Sequence, residues 1–232
     1  MGIEETMEIN WDQLRTYRMR RTADLMLEGG YEALIVADAC NIRYVADVRK
    51  YGSLEVDGEL HLVLMNAKAE LFLITQILFE DVMARMPWIK GAIRMPAWRR
   101  ASIQAELRAE LILRALAELG ISNGRIGIDF LPYQVKDRFQ SVAPAFEIES
   151  VAHALLRKRM IKGGDEIRLL QIAARNNDLG MQAALGAMVE GATEFDVVAA
   201  ALEAMAAAGI EAITHYPGCR SGERTLSEYM PD

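Results

Sequence analysis

The chain has 232 residues, 52% of them hydrophobic and 25% charged, and carries a net charge of −7. A chain of this size fits one large domain or one and a half smaller ones, and it can bury enough apolar surface to fold without a disulfide or a structural zinc. The acidic balance repels phosphate backbones and argues against a nucleic-acid partner; Cys40 and Cys219 form no CxxC pair; and no uncharged apolar run reaches the ~18 residues of a membrane span.

The N-terminus, Met1 to Glu5, is acidic and lacks an apolar core, so it does not read as a signal peptide. With free cysteines far apart, the expected compartment is the cytoplasm. Residues 11–28 read as a helix, capped by Asn10 and ended by Gly29-Gly30. Arg15, Arg18 and Arg21 recur at every third position of that helix and are expected to form a solvated face. Glu32 to Ala37 (EALIVA) follows as a short apolar strand, and Asn41 to Val45 as a turn or short helix.

Residues 61–66 and 70–74 are apolar runs joined by Ala67-Lys68-Ala69, which predicts a β-hairpin. A helix is expected over 77–86, ending at Pro87, and a weak strand from Ile89 to Met95. Residues 101–119 show an amphipathic helical pattern, with Ile103, Leu107, Leu111, Ala115 and Leu119 four apart on the expected buried face. A strand (Arg125 to Asp129), a short helix (133–140) and another strand (Phe146 to Ile148) follow. This alternation predicts an α/β domain, a parallel or mixed sheet with helices on its faces.

The texture changes near residue 150. A helix over 151–159 ends in Arg157-Lys158-Arg159, and Gly163-Gly164 marks a break. A long helix follows from Asp165 to Val189, with Ile167, Leu170, Ala174, Met181, Leu185 and Met188 on its expected buried side. Thr193 with Asp196 makes a capping-box variant for a second helix, 194–208, ended by Gly209. Ile210 to Tyr216 reads as a strand, and Pro217 to Asp232 shows no periodicity. Two helices and one strand cannot close a layer alone, so this unit reads as the opening fragment of a larger domain.

The order and spacing of several pieces resemble one family. They are Arg157-Lys158-x-Met160-Ile161-Lys162, Asp165-Glu166-Ile167, Ala173-Ala174, Glu190-Gly191-Ala192-Thr193-Glu194 and Ser221-Gly222. The chain is similar there to the entry into the pita-bread catalytic domain of creatinases, prolidases and Xaa-Pro aminopeptidases. The "ALIV" strand and Asn41-Ile42-Arg43-Tyr44 resemble the opening of the creatinase N-terminal domain. The resemblance implies a creatinase/prolidase-like N-terminal domain at residues 1–155, with a mixed sheet and flanking helices. Residues 156–232 would be the opening fragment of an α+β pita-bread catalytic domain.

Relatives of this kind hold two divalent ions, of the Mn, Co, Fe or Zn type, with two Asp, one His and two Glu. In them the five ligands lie beyond the S-G loop, and this chain continues only ten residues past Gly222. No residue here is therefore assigned as catalytic, cofactor-binding or metal-ligating. Asp165, Asp178, Asp196, Glu203 and His215 are the local candidates for a substitute set, but no HExxH or Glu-x-x-His pair supports them. His215 with Cys219 is a candidate thiol–imidazole pair, four apart on a strand-like segment. Tyr229 stands where peptidase members often place a histidine, and Ser221-Gly222-Glu223-Arg224-Thr225 also resembles a lyase branch that includes dimethylsulfoniopropionate lyases.

The implied function is a truncated metal-dependent hydrolase of the aminopeptidase/prolidase type, silent as this chain alone. Two alternatives remain: a non-catalytic dimerisation or protein-binding module, and a metal-dependent lyase of the same fold. The expected partners are a second copy of the chain and, in full-length relatives, a peptide or small-molecule substrate.

Overall fold

The computed structural model describes residues 9–48, 61–76, 80, 84–96, 103–211, 213 and 216–226. The chain divides into two compact units, Trp11–Lys162 and a second from Gly163 onward. The break falls at the Gly163-Gly164 position.

The first unit is built in chain order from α1 (Trp11–Gly29), β1 (Ala33–Val36), α2 (Ala39–Ala46), β2 (His61–Asn66), β3 (Leu71–Thr75), β4 (Ile89–Arg94), α3 (Ala105–Glu118), β5 (Gly124–Ile128), α4 (Tyr133–Val142), β6 (Phe146–Ser150) and α5 (Ala152–Met160). The strands form one sheet in the order β4-β3-β2-β1-β5-β6. β1 pairs antiparallel with β2, and β2 with β3. The pairs β3–β4, β1–β5 and β5–β6 are parallel. This is the mixed α/β sheet expected from the alternation of elements. The helix expected over 77–86 lies largely outside the described residues.

Strand periodicity divides the core in two. Ala33, Ile35, Leu62, Leu64, Phe72, Ile74, Ile126 and Ile128 point to one face, under α3 and α4. Leu34, Val36, Val63, Met65, Leu71 and Leu73 point to the other, under α1, α2 and α5. β1, β2 and β3 are buried along their whole length, as a strand covered on both faces must be. Gly127 on β5 has a specific cause. A Cβ there would lie 2.6 Å from both Leu34 Cδ2 and Val151 Cγ1, so a side chain would displace the packing of α5's entry onto β1.

The hairpin between β2 and β3 is held by Asn66, whose Oδ1 accepts the backbone N–H groups of Lys68 (3.1 Å) and Glu70 (3.0 Å). Ala69 takes a left-handed φ of 62° to close it. On α3 the buried face is Arg108, Ala109, Leu111, Ile112, Ala115 and Leu116, while Ile103 is 71% exposed. Ile103 lies in a turn ahead of α3, off the helix face, whereas Leu111, Ala115 and Leu119 of the same row are buried.

In the second unit α6 (Gly164–Ala187) packs against α7 (Glu194–Ala207). Glu166 caps α6 by accepting the Gly163 N–H at 3.0 Å. Thr193 and Asp196 cap α7 reciprocally, the capping box expected from sequence. The packed face of α6 is Ile172, Asn176, Gly180 and Ala184, not the apolar row expected from sequence. Met181 and Leu185 are 61% and 62% exposed, and Ile167, Leu170 and Met188 are exposed with them. Gly180 explains the choice: a Cβ there would sit 2.8 Å from Met205 Cγ, so only a glycine lets the two helices approach this closely. No strand forms among the described residues of 210–216. Among the described residues of this unit there is no neighbouring strand to pair with. A single 3₁₀ turn, Gly222–Leu226, follows.

Candidate functional site

A polar cluster of the first unit stands just past the carboxyl ends of β1 and β5. β1 ends in Ala37-Asp38, and the Asp38 carboxylate caps α2 by accepting the Asn41 N–H at 2.7 Å. β5 ends one residue before Asp129. The Asp129 carboxylate accepts the backbone N–H groups of Ala37 (2.8 Å), Asp38 (3.2 Å) and Phe130, and the Asn41 side-chain N–H at 2.9 Å. The other end of the Asn41 amide accepts Arg159 Nη1 from α5 at 2.8 Å. Burial outweighs the four donors and pushes the Asp129 carboxyl up to about 6. From sequence, Asp129 stands at the end of the expected strand Arg125 to Asp129 with no role assigned. The available signal was an acid directly after a buried apolar run, opposite an Asp-x-x-Asn helix start.

A second cluster overturns the solvated-face expectation for α1. Arg15 donates to Asp47 at 2.9 Å and stacks 4.0 Å above the Trp88 ring. Arg43 meets the same Asp47 carboxylate at 2.9 Å. Trp88 in turn donates its indole N–H to the Ala46 carbonyl at 2.8 Å. Arg18 lies over Tyr44, and Arg21 donates twice to the Lys158 carbonyl, at 3.1 and 2.9 Å. The three arginines therefore join α1 to α2, β4 and α5. A period of three on a helix keeps them on one side, and that side faces protein.

In the second unit Glu194 holds the Ser221 loop. Its carboxylate accepts both the Ser221 N–H and, at 2.9 Å, the Ser221 hydroxyl, and Arg224 lies 3.4 Å away. The Ser221 donors, with Arg224 and Arg220 nearby, hold the Glu194 carboxyl below its ordinary value. A cavity of about 740 Å³ opens beside α6 and α7, lined by Leu169, Ile172, Asn176, Met205, Ile210 and Pro217 among others.

The sequence-named acids do not converge. Asp178 and Glu203 are exposed on α6 and α7, Asp165 sits in the first turn of α6, and Asp196 is spent on the α7 cap. His215 and Tyr229 lie outside the described residues, and with His215 the thiol–imidazole pair. Cys219 packs against the small α6–α7 core. Among the described residues no three His, Cys, Asp or Glu side chains come together in a way that could hold a metal ion. No helix among them is long and apolar enough to cross a membrane.

Known proteins resemble this chain at both the sequence and the fold level. A family model described as the creatinase/prolidase N-terminal domain matches residues 18–161. A creatinase from Bacillus sp. (strain B-0618) is 27% identical over 201 residues, covering 82% of this chain and 44% of that protein. The solved Xaa-Pro dipeptidase from Bacillus anthracis superposes with a TM-score of 0.61 at 20% identity, covering 85% of this chain and 50% of the other. An X-Pro aminopeptidase from Thermotoga maritima MSB8 gives 0.62 at 14% identity, with coverages of 83% and 50%. The chain thus spans about half the length of the relatives it matches. The matched segment contains nearly all of the six-stranded unit, the whole Asp129 cluster and, apart from Arg15, the α1 arginine cluster, and by that match the chain belongs to the creatinase/prolidase N-terminal domain family.

Proposed function

We propose that this sequence serves a metal-dependent hydrolase of the creatinase/prolidase type, one that cleaves a C–N bond such as that of an Xaa-Pro peptide. On this reading residues 1–155 form the N-terminal domain and residues 156–232 begin the catalytic domain. The 232 residues by themselves are silent. The observation that carries the reading is the coverage. Relatives named creatinase and Xaa-Pro dipeptidase are matched along about half their length, and no three metal-binding side chains converge among the described residues. In the longer proteins the resemblance implies a pair of Mn, Co, Fe or Zn ions, which would polarise the scissile carbonyl and supply an activated water. Cytoplasmic residence belongs to the same proposal and is supported by two free thiols, Cys40 and Cys219.

The test is to assay the purified 232-residue chain on Xaa-Pro dipeptides and creatine with added manganese, alongside calorimetric titration of the metal. Neither turnover nor tight uptake is expected. Stoichiometric binding of two ions together with hydrolysis would overturn the reading. Elimination from a sulfonium substrate by a full-length version, without peptide cleavage, would favour the lyase alternative.

A second reading, an assembly module that pairs with another copy of the chain, is supported by the exposed apolar row of α6: Ile167, Leu170, Met181, Leu185 and Met188. Light scattering is expected to report a dimer or larger species. A monodisperse monomer would remove this reading.

A further inference from the structure

Open α/β sheets carry their ligand crevice at the carboxyl ends of neighbouring parallel strands whose connections leave to opposite faces. β1 and β5 meet that description. They are parallel neighbours; the chain leaves β1 into α2 on one face, and leaves β5 into α4 on the other. The mouth of such a crevice is lined by backbone N–H groups beside a helix start, an arrangement suited to an anion. Here Ala37 and Asp38 present those groups just ahead of α2, and both already donate to Asp129.

We propose that the Asp129 carboxylate is an internal anion that fills the sheet's ligand crevice, so that the β1–β5 mouth is closed by the protein's own side chain and α2 is pinned to β5 through it. Three observations support this. The two oxygens of an ionised carboxylate offer about four acceptor positions, and the four donors Ala37, Asp38, Phe130 and Asn41 use them. The donors come from both strands that frame the crevice, as they would around a bound ligand. The contact is also braced from behind, because Asn41 is itself held by Arg159 of α5. Asp38 turns its own carboxylate to the Asn41 N–H and leaves its N–H for Asp129. Asp129 is thus a positioning residue: it sets where α2 begins.

The experiment removes the internal anion from the full 232-residue chain and offers a free one. Asp129→Ala is expected to lower the melting temperature by about 5 °C. Amide exchange at Ala37 and Asp38 should become at least about tenfold faster, since their N–H groups lose their acceptor. Excess formate, a carboxylate small enough for the vacated space, should recover much of the loss and slow the same amides, whereas equal chloride should not. Asp129→Asn keeps the bulk but brings a donor to a cluster of donors; it should be destabilised and show no response to formate. A parent-like Asp129→Ala, or one on which formate and chloride act alike, would overturn the proposal. If Asp129→Ala does not fold, Asn41→Ala decides by exchange. Faster exchange at positions 37 and 38 and along α2 supports the pin, and parent-like exchange at those positions refutes it.

Discussion

The two units use their apolar residues in opposite ways. In Trp11–Lys162 the alternating residues of β1, β2 and β3 all find a helix layer on one face or the other, and each of these strands is buried throughout. From Gly163 onward most of the large apolar residues of α6 face outward, and among the described residues the helix pair has a small core cluster of Ala184, Val197, Ala201 and Met205. The difference is one of layers. A sheet between two helix layers can satisfy both of its faces, whereas two helices leave each other's far side uncovered. An apolar periodicity therefore reports a buried face only where the chain also provides the surface that buries it.

The sharpest way to break that comparison is a core truncation. Phe139 is fully buried on α4 and stacks on Phe146 with ring centroids 6.1 Å apart. Phe139→Ala should cost about 4 kcal/mol in chemical denaturation. A loss below about 1 kcal/mol would mean that the first unit is not the closed core described.

Acid should separate two groups of the first unit whose effects oppose each other. The His61 ring is buried beside Thr75, its Nδ1 2.9 Å from Thr75 Oγ1, and burial lowers its pKa from 6.5 to about 4. The unfolded chain then binds more protons between those values, so His61's contribution is full above pH 6.5 and about 3 kcal/mol is lost as pH falls to 4. Asp129 is raised from 3.8 to about 6. There the folded chain binds more protons, so acidification through that window returns about 3 kcal/mol. The two nearly cancel, and together they should leave the parent's stability flat between about pH 6 and 4. His61→Gln should make stability rise on acidification across that range, and Asp129→Asn should make it fall. Parallel profiles for both variants and the parent would contradict the assignment.

In the second unit the effects should be smaller. Thr193→Ala removes one half of the capping box and should cost about 1 kcal/mol, seen as faster amide exchange in the first turn of α7. Met181→Ser with Leu185→Ser should leave the unfolding free energy within about 0.5 kcal/mol. The same pair should reduce association in light scattering. A large loss of stability from this pair would show that the α6 row is packed within the chain after all.

Much of the fold was readable in advance. EALIVA is a short run of apolar and β-branched residues closed by turn residues, and it forms the central strand β1. The two runs around Ala67-Lys68-Ala69 form the antiparallel hairpin, with Asn66 supplying the turn hydrogen bonds. Thr193 and Asp196 cap α7 because capping needs only neighbours in sequence. Ile103 falls off the α3 face because the helix begins only at Ala105. The face of α6 was misjudged because a small residue, Gly180, sets the contact with α7. The Arg15, Arg18 and Arg21 row was read as solvated because its partners, Asp47, Trp88, Tyr44 and Lys158, are remote in the chain. The Asp129 cluster was invisible for the same reason: three of its four donors, from Ala37, Asp38 and Asn41, lie about ninety residues earlier.

Sequence alone determined the local order of helices, strands, caps and turns, and through the spacing of its motifs the family. These depend on backbone preference and on hydrophobic period, both of which act over a few residues. Tertiary structure alone decided which face of each helix is covered, where the charged side chains of α1 go, and that the aspartate after β5 accepts the N–H groups that follow β1. Each of those outcomes depends on which surfaces meet after folding, and a linear pattern carries no record of its distant neighbours.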